Sequence, residues 1–533
     1  MSRSTRFVSG IAFGYLYQVL VMVAGIWLTP FLLGMVGQRD YGLWLVGTQL
    51  LAYLQLLDIG VAGLLVREAA YATGRAQGSV QNATDLPVVV GKILKIILYQ
   101  TPMVAIAAGL IWWFMPSSWA GLQGPFGLVI VAFLLLFPAR IFQLLLYGIQ
   151  DTGYIGRISI ANWVVSTTLN IVLVWFGWGL YALTAAWITG QLLTAGSCYV
   201  RIRQKFPTAL PRRLPKLSYQ DVTSYLTKGA WASLGQLSQV LVSGSDMLVI
   251  GRTLGPAGVV PYSCTGKLIS VLANQPQLVM QVAAPGLSEL RTNTGQSELV
   301  RVAIVLGQGM LLISGALACI SVAANKSFVN WWVGGDQYGG FFLTLSIAIV
   351  MVLRHWNYTL VNAMFCLGKE RRISITTGID GVITIAASVL LVNQMGPIGA
   401  PLGSIVGVSL ASLPFNILCL AAEVQGGVSE FTSVLVGWFL RFALVLGVAC
   451  GLAQSSLSGA VGVLLAGAGI GLLYALATFT VVTRGALAPY VFPQLRKIWL
   501  KLLGPSKLHV LEWFFPRQVT QSLAVSAAGG GSK

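Results

Sequence analysis

Long apolar runs alternate with short polar interruptions along the whole chain, and the runs set its architecture. Fourteen read as helices, at residues 9–36, 41–66, 87–114, 125–149, 155–177, 179–200, 222–250, 257–284, 299–324, 340–366, 373–393, 396–422, 431–454 and 459–483. About 20 apolar residues suffice to cross the hydrocarbon core of a bilayer as a helix. The runs lack the apolar–polar alternation of membrane β-barrel strands, and backbone groups in lipid must find partners within their own segment. The pattern predicts an all-α polytopic membrane protein of about 14 transmembrane helices. Two of the predicted hairpins, 155–200 and 373–422, turn on only a few residues (FGWG and NQMG).

Composition agrees with this reading. The 533 residues are 56% hydrophobic and 9% charged, where a soluble globular chain carries about 25% charged residues. The net charge of +18 changes the picture more. With the N-terminus (MSRSTR) on the cytoplasmic side and an even helix count, one face collects most of the basic residues. They are Arg3, Arg6, Arg67, Arg75, Arg157, the loop RIRQKFPTALPRRLPK, Arg291, Lys369, Arg371, Arg372, Arg484, Arg496, Lys497 and Lys501. The opposite loops hold Arg39, Arg252 and Lys326. This is the positive-inside distribution, with both termini cytoplasmic, and it argues against nucleic-acid binding. The first apolar segment is too long for a cleavable signal. The six cysteines lack CxxC spacing and read as free core residues, so neither a metal nor a cofactor is expected. Tyr490–Leu503 mixes basic and apolar positions, as an interfacial amphipathic helix does. Residues 524–533, ending AAGGGSK, read as an appended linker.

The chain also repeats itself. GYIGRISI (153–160) and GKERRISI (368–375) lie 215 positions apart, and each leads into an apolar helix, a glycine-bearing turn and a second helix. Leu33-Gly34, seven residues before Tyr41, is matched by Leu254-Gly255, seven before Tyr262. Six helices therefore recur as the next six. The organisation expected is an N-lobe at 1–200, a basic cytoplasmic linker at 201–220, a C-lobe at 221–425, helices 13 and 14 at 426–485, and a cytoplasmic amphipathic tail at 486–523. Two parallel repeats enclosing a central substrate site are a recurrent transporter plan.

Three stretches carry a family resemblance. LGMVGQRDYGLWLVGTQLLAYLQLLDIGVA resembles the first hairpin of polysaccharide-type flippases of the multidrug/oligosaccharidyl-lipid/polysaccharide (MOP) exporter superfamily. SDMLVIGRTLGPAGVVPYS resembles the hairpin opening their second half, and LGKERRISI with MGPIGAPLGS resembles their helices ten to twelve. The resemblance implies two pseudo-symmetric six-helix lobes flanking a V-shaped cleft. It implies alternating access that carries undecaprenyl-diphosphate-linked oligosaccharide repeat units from the cytoplasmic to the periplasmic leaflet of a bacterial inner membrane. Helices 13 and 14 exceed the common twelve-helix pattern; in some relatives such a pair forms a groove for the lipid tail.

Ionisable residues inside a bilayer cost about 2.5–3.5 kcal/mol each on insertion scales and usually face a cavity or a partner. Arg140, Arg354, Lys228 and Lys267 are the candidates for binding an anionic diphosphate, because arginine offers phosphate a rigid donor fork and lysine a point charge. Asp58, Asp246, Asp380 and His355 are candidates for ion coupling. Arg441 lies outside both repeats and is read as stabilising helix 13, and Lys95, near a membrane edge, as structural. Trp112, Trp113, Trp119, Trp175, Trp178, Trp331 and Trp332 gather near predicted periplasmic ends, as an interfacial belt does. No GxxxxGK[ST], HExxH or GxSxG motif occurs, so an ATP-driven pump or hydrolase is disfavoured and the chain is not read as an enzyme. The alternatives are an ion-coupled multidrug exporter and a polyprenyl-sugar glycosyltransferase or polymerase. The expected partners are the lipid-linked oligosaccharide, membrane lipids and transient contacts with polymerase machinery, around a monomer.

Overall fold

The computed structural model describes residues 3–56, 60–76, 80–293, 296–424, 427–454, 459–485, 487–503 and 515. Asp58 lies outside these residues. All regular structure described is helical. Two compact units emerge from the contacts: residues 1–261 with 388–400, and residues 262–387 with 401–533.

The first unit holds α1 (Arg3–Val36), α2 (Gln38–Gln55), α3 (Val61–Arg75), α4 (Leu86–Trp113), α5 (Ala120–Leu136), α6 (Arg140–Gly148), α7 (Thr152–Trp175), α8 (Leu180–Lys205), α9 (Tyr219–Gly244) and α10 (Asp246–Thr253). Within it α7 packs on α1 and α8, α3 on α4 and α6, and α2 on α5, α9 and α10. The basic loop after α8 is tied onto α4. Lys92 Nζ donates to Asp221 Oδ1 at 2.8 Å, and Lys95 Nζ to the Pro215 carbonyl at 3.2 Å. Asp221 also closes a capping box with Ser218 at the start of α9, and these hydrogen bonds, that of Lys92 foremost, hold its carboxyl below the ordinary aspartate range.

The second unit contains α11 (Val259–Asn293), α12 (Gln296–Trp332), α13 (Phe341–Cys366), α14 (Glu370–Met395), α15 (Gly399–Gly407), α16 (Leu413–Ala421), α17 (Val428–Leu452), α18 (Gly459–Arg484) and α19 (Ala488–Leu503). The last eight residues of α14 belong by contacts to the first unit. The 37-residue α12 is its axis, packed on α13, α17 and α18. Trp438 of α17 donates to the Tyr474 hydroxyl of α18 at 2.8 Å and stacks on Phe442 at 4.9 Å. The two helices beyond the repeat are thereby part of this unit's core.

Nine stretches among the described residues are long and apolar enough to cross a membrane. One of them, Glu370–Ala421, is a hairpin. It turns at Gly396 (φ 69°), and Ser388 Oγ then reaches the Ala400 carbonyl at 3.1 Å. Leu135, Trp175 and Leu444 are 73–76% exposed, and an apolar surface of this kind belongs in lipid. The chain is a multi-pass membrane protein. Of the predicted belt, Trp113, Trp175 and Trp178 are exposed, whereas Trp119 and Trp332 are buried, Trp119 donating to the Gly251 carbonyl. None of the six cysteines is in a disulfide.

Four segments read as continuous helices are broken. The run 41–66 becomes α2 and α3, with Gly60 at φ 63° before α3. The run 125–149 breaks at Pro138, where the missing amide and the ring interrupt the helix ladder. The run 222–250 changes course at Ser245, between α9 and α10. The fourth, 396–422, carries a π turn at Val408–Ser412, just before Pro414.

The repeat reappears in backbone geometry, in a register that the matching letters miss. Gly37 (φ 89°, ψ 159°) and Gly255 (φ 85°, ψ 165°) take the same left-handed conformation 218 positions apart. Gly34, paired with Gly255 by letters, lies inside α1. The single 3-10 turns Ser117–Trp119 and Gly335–Gln337 are also 218 apart. So are Gln150 (φ 61°) and Gly368 (φ 72°), which end α6 and α13. The amides of Gln150 and Asp151 donate to the carbonyls of Tyr147 and Leu146; those of Gly368 and Lys369 donate to Phe365 and Met364, all at 2.9–3.0 Å. This is one helix-ending motif used twice. In that register the two RISI strings are three residues out of step.

The next residue in each copy forms a salt bridge of opposite polarity. Asp151 accepts from Arg201 at 2.9 Å, whereas Lys369 donates to Glu423 at 2.5 Å and to Cys419, the residue 218 beyond Arg201. Burial alone would lower the Lys369 pKa; the hydrogen bond to Glu423 and the charges beside it outweigh that and raise it. A raised lysine pKa contributes stability that is complete below the unfolded value of about 10.4 and is lost as pH rises through the folded value. Lys369→Gln is therefore expected to lower thermal stability by about 1 kcal/mol at pH 6 to 9. The gap to the parent should close above about pH 10. A gap that closes near neutrality would disprove the assignment.

Candidate functional site

A dense polar cluster in the apolar interior of the second unit is built around two candidate residues, Arg354 and Asp380. Arg354, midway along α13, makes a bidentate ion pair with Asp380 of α14: its Nη1 donates to Oδ2, and its Nη2 to Oδ1 at 3.0 Å. The Arg354 side chain is 17% exposed and that of Asp380 fully buried. The arginine also donates to Ser404 Oγ at 2.9 Å, to the Ser404 carbonyl and to Thr384 Oγ1, both at 3.3 Å. The carboxylate receives two more bonds, from Thr384 Oγ1 at 3.0 Å and Ser412 Oγ at 2.5 Å.

Each partner is delivered by local sequence. Thr384 stands one turn beyond Asp380 on α14, the i,i+4 spacing that places two side chains on one face. Ser404 lies on α15, and Ser412 ends the π turn. A π turn widens the helix by one residue per hydrogen-bonded ring, shifts the following side chains around the axis and often marks a functional position. Gly407, just before the π turn, lets α15 approach α14 closely: a Cβ there would lie 2.6 Å from Asp380 Oδ1 and 2.9 Å from the Asp380 carbonyl. The cluster can hold a fixed ion pair away from water, and it can exchange that pair. An ion taken up by the carboxylate would release the guanidinium, and an anion offered to the guanidinium would release the carboxylate.

The other predicted residues are spread through the chain. Arg140 is the first residue of α6, after the Pro138 break, with its guanidinium 5.6 Å from the Phe137 ring centroid. In the 218 register it corresponds to position 358, one helical turn from Arg354. Lys267 is half-buried on α11 beside Cys264. Lys228 lies on α9. Asp246 is half-buried as the first residue of α10, at the Ser245 break. His355 follows Arg354 on α13, is 2% exposed and is hydrogen-bonded to the Ala273 backbone. The sequence reading named neither Thr384, Ser404, Ser412 nor Gly407. The available signal was a row of small polar residues, with a proline at 414, inside an otherwise apolar hairpin.

Residues 150–351 match a family model described as a polysaccharide biosynthesis protein. No curated protein matches the sequence. Among solved structures, the fold is similar to that of the lipid II flippase MurJ in an inward closed conformation, with a TM-score of 0.62 and 9% identity over 88% of this chain and 99% of that one. It is also similar to an inward-facing multidrug resistance MATE family transporter of the MOP superfamily, with a TM-score of 0.52 and 16% identity over 79% of this chain and 99% of that one.

Proposed function

We propose that this chain, which has the fold of MOP-superfamily transporters, moves undecaprenyl-diphosphate-linked oligosaccharide repeat units from the cytoplasmic to the periplasmic leaflet. The setting is a bacterial inner membrane, with both termini cytoplasmic. The observation that carries this reading is the polysaccharide-biosynthesis match over residues 150–351. The likeness to a lipid II flippase, over 88% of the chain, supports it from the side of the fold. So does the excess of cations over carboxylates in the apolar helices, which suits an anionic cargo better than a cationic drug.

In this mechanism the Arg354–Asp380 pair is the exchange point. A cation or proton taken up by Asp380 neutralises the carboxylate, and Ser412 and Thr384 keep it hydrogen-bonded in place. Arg354 then holds a positive charge without its partner, and the cargo diphosphate supplies the compensating anion. Discharge of the cargo restores the pair, so the buried charge is balanced at both ends of the cycle. Lys267, in the same unit, is assigned to cargo binding with Arg354; Arg140 is assigned to cargo binding, and Asp246 and His355 to ion coupling.

The test is a host strain lacking this gene. Complete lipid-linked repeat units should accumulate in the cytoplasmic leaflet, and the parent gene should return them to the periplasmic one. Asp380→Asn and Arg354→Gln, at matched membrane levels, should restore less than about a tenth of that movement. Unfinished sugar chains would instead identify a transferase. Complete units already in the periplasmic leaflet would favour a drug exporter, the reading to which the MATE likeness points.

A further inference from the structure

A second polar site lies in the helix pair beyond the repeat. Where α17 and α18 meet α12, a cavity of about 470 Å³ is lined by Arg441, Thr480, Arg484 and Gln308. Ligand sites commonly fall in the range of about 300–1,000 Å³. Arg441 stands midway along α17, and its side chain is drawn back one turn, where Nη1 donates to the Gly437 carbonyl and Nη2 to Thr480 Oγ1 at 3.3 Å. Side chains of a helix lean toward its N-terminus, and α18 returns antiparallel, so this motion carries Arg441 toward Arg484 at the end of α18. Two cations thus converge on one cavity.

They differ from four other cations of the described helices and their ends. Arg354, Arg201, Lys92 and Lys369 each face a carboxylate. Among the described residues, no carboxylate pairs with Arg441 or Arg484. An intramembrane arginine without a counter-ion is costly, so the compensating anion must come from outside the chain. On the α12 wall Gln308 is 5% exposed, yet its Oε1 has no hydrogen-bond partner. A buried carbonyl oxygen in that state calls for a donor. The cavity therefore asks for an anion that also carries an O–H or N–H group. Its surroundings decide the source: Leu440, Leu444 and Leu476, on the same two helices, are among the most exposed apolar side chains, as acyl chains require.

We infer that this cavity binds the headgroup of an anionic, hydroxyl-bearing phospholipid. The phosphate sits between Arg441 and Arg484, a headgroup hydroxyl donates to Gln308, and the acyl chains lie along α17 and α18. This site is separate from the Arg354–Asp380 pair, and the binding it describes needs no transport cargo.

Native mass spectrometry of the full chain, released from detergent after titration with phosphatidylglycerol or phosphatidylcholine, tests it. The parent should bind phosphatidylglycerol at least ten-fold more tightly than phosphatidylcholine. Arg441→Gln with Arg484→Gln should abolish that preference, Gln308→Leu should weaken phosphatidylglycerol about three-fold or more, and Arg441→Lys should stay within about three-fold of the parent. Arg484→Gln alone alters an exposed helix end, so it serves as the binding variant if the double variant unfolds, and it should weaken binding several-fold. Equal preference in parent and arginine variants would overturn the site. Displacement of the lipid by millimolar inorganic pyrophosphate would overturn its assignment to lipid, leaving a phosphate site for soluble anions. Because no cargo is present, failure here leaves the proposed transport reading untouched.

Discussion

Asp380→Asn is expected to lower stability by about 3–5 kcal/mol, the cost of stranding one member of a buried ion pair. The substitution keeps the shape but removes the charge that balances Arg354, and its amide nitrogen can no longer accept one of the hydrogen bonds that Thr384 and Ser412 donate to the two carboxylate oxygens. With its guanidinium 17% exposed among apolar helices, Arg354 has little water to turn to. Arg354→Met combined with Asp380→Leu removes both charges, and replacing a whole buried pair by apolar residues is often neutral or stabilising. The double variant should therefore melt closer to the parent than Asp380→Asn does. Thermal unfolding in nanodiscs separates the three proteins. It should also separate folding from transport: the double variant folds and reaches the membrane, yet flips no cargo if the pair is the exchange point. An Asp380→Asn protein as stable as the parent would mean that the pair is not balanced as described.

Gly407→Ala should be the most damaging single methyl addition near that pair. The new Cβ would meet the Asp380 carboxylate and its backbone carbonyl at 2.6 and 2.9 Å. The backbone cannot swing aside as a flexible side chain would, so α15 must move away from α14. Overpacking of this kind costs about 1–3 kcal/mol, and the displacement pulls Ser404 and Ser412 off the ion pair. Transport is expected to fall at least ten-fold, more than the stability loss alone explains. Gly447→Ala on α17 is the control: nothing lies within 4 Å of its added methyl, and alanine is the better helix former by about 1 kcal/mol. That variant should gain stability and transport normally. Equal behaviour of the two alanines would show that the α14–α15 approach is not what holds the cluster.

These two sites show where the sequence was readable. The apolar runs announced helices because a bilayer demands length and hydrophobicity over the same stretch, and those are properties of contiguous residues. The tight turns at FGWG and NQMG were legible for the same reason. Arg354 and Asp380 were each conspicuous as charges in apolar helices, and were assigned separate roles. That they neutralise one another depends on how α13 packs on the hairpin, 26 residues later, which no local pattern encodes. The breaks at Ser245 and Val408–Ser412 were hidden although Gly244 and Gly407 precede them, because a single glycine inside an apolar run does not by itself mark a bend. The repeat was found through RISI, yet its register is carried by backbone conformation. Gln150 in the left-handed region occupies the place of Gly368, a correspondence that residue identity conceals.

The inverted salt bridges bear on how the chain is made. A duplicated membrane protein emerges from the ribosome with two look-alike sets of hairpins, and each must find its own neighbours. At equivalent positions Asp151 pairs with Arg201, while Lys369 pairs with Glu423. Were the second copy's hairpin to dock on the first copy's partner helix, Lys369 would meet Arg201, and the reciprocal error would set Asp151 against Glu423. Either mistake brings like charges together at a membrane edge. The polarity reversal thus disfavours an exchange of partners between the two copies.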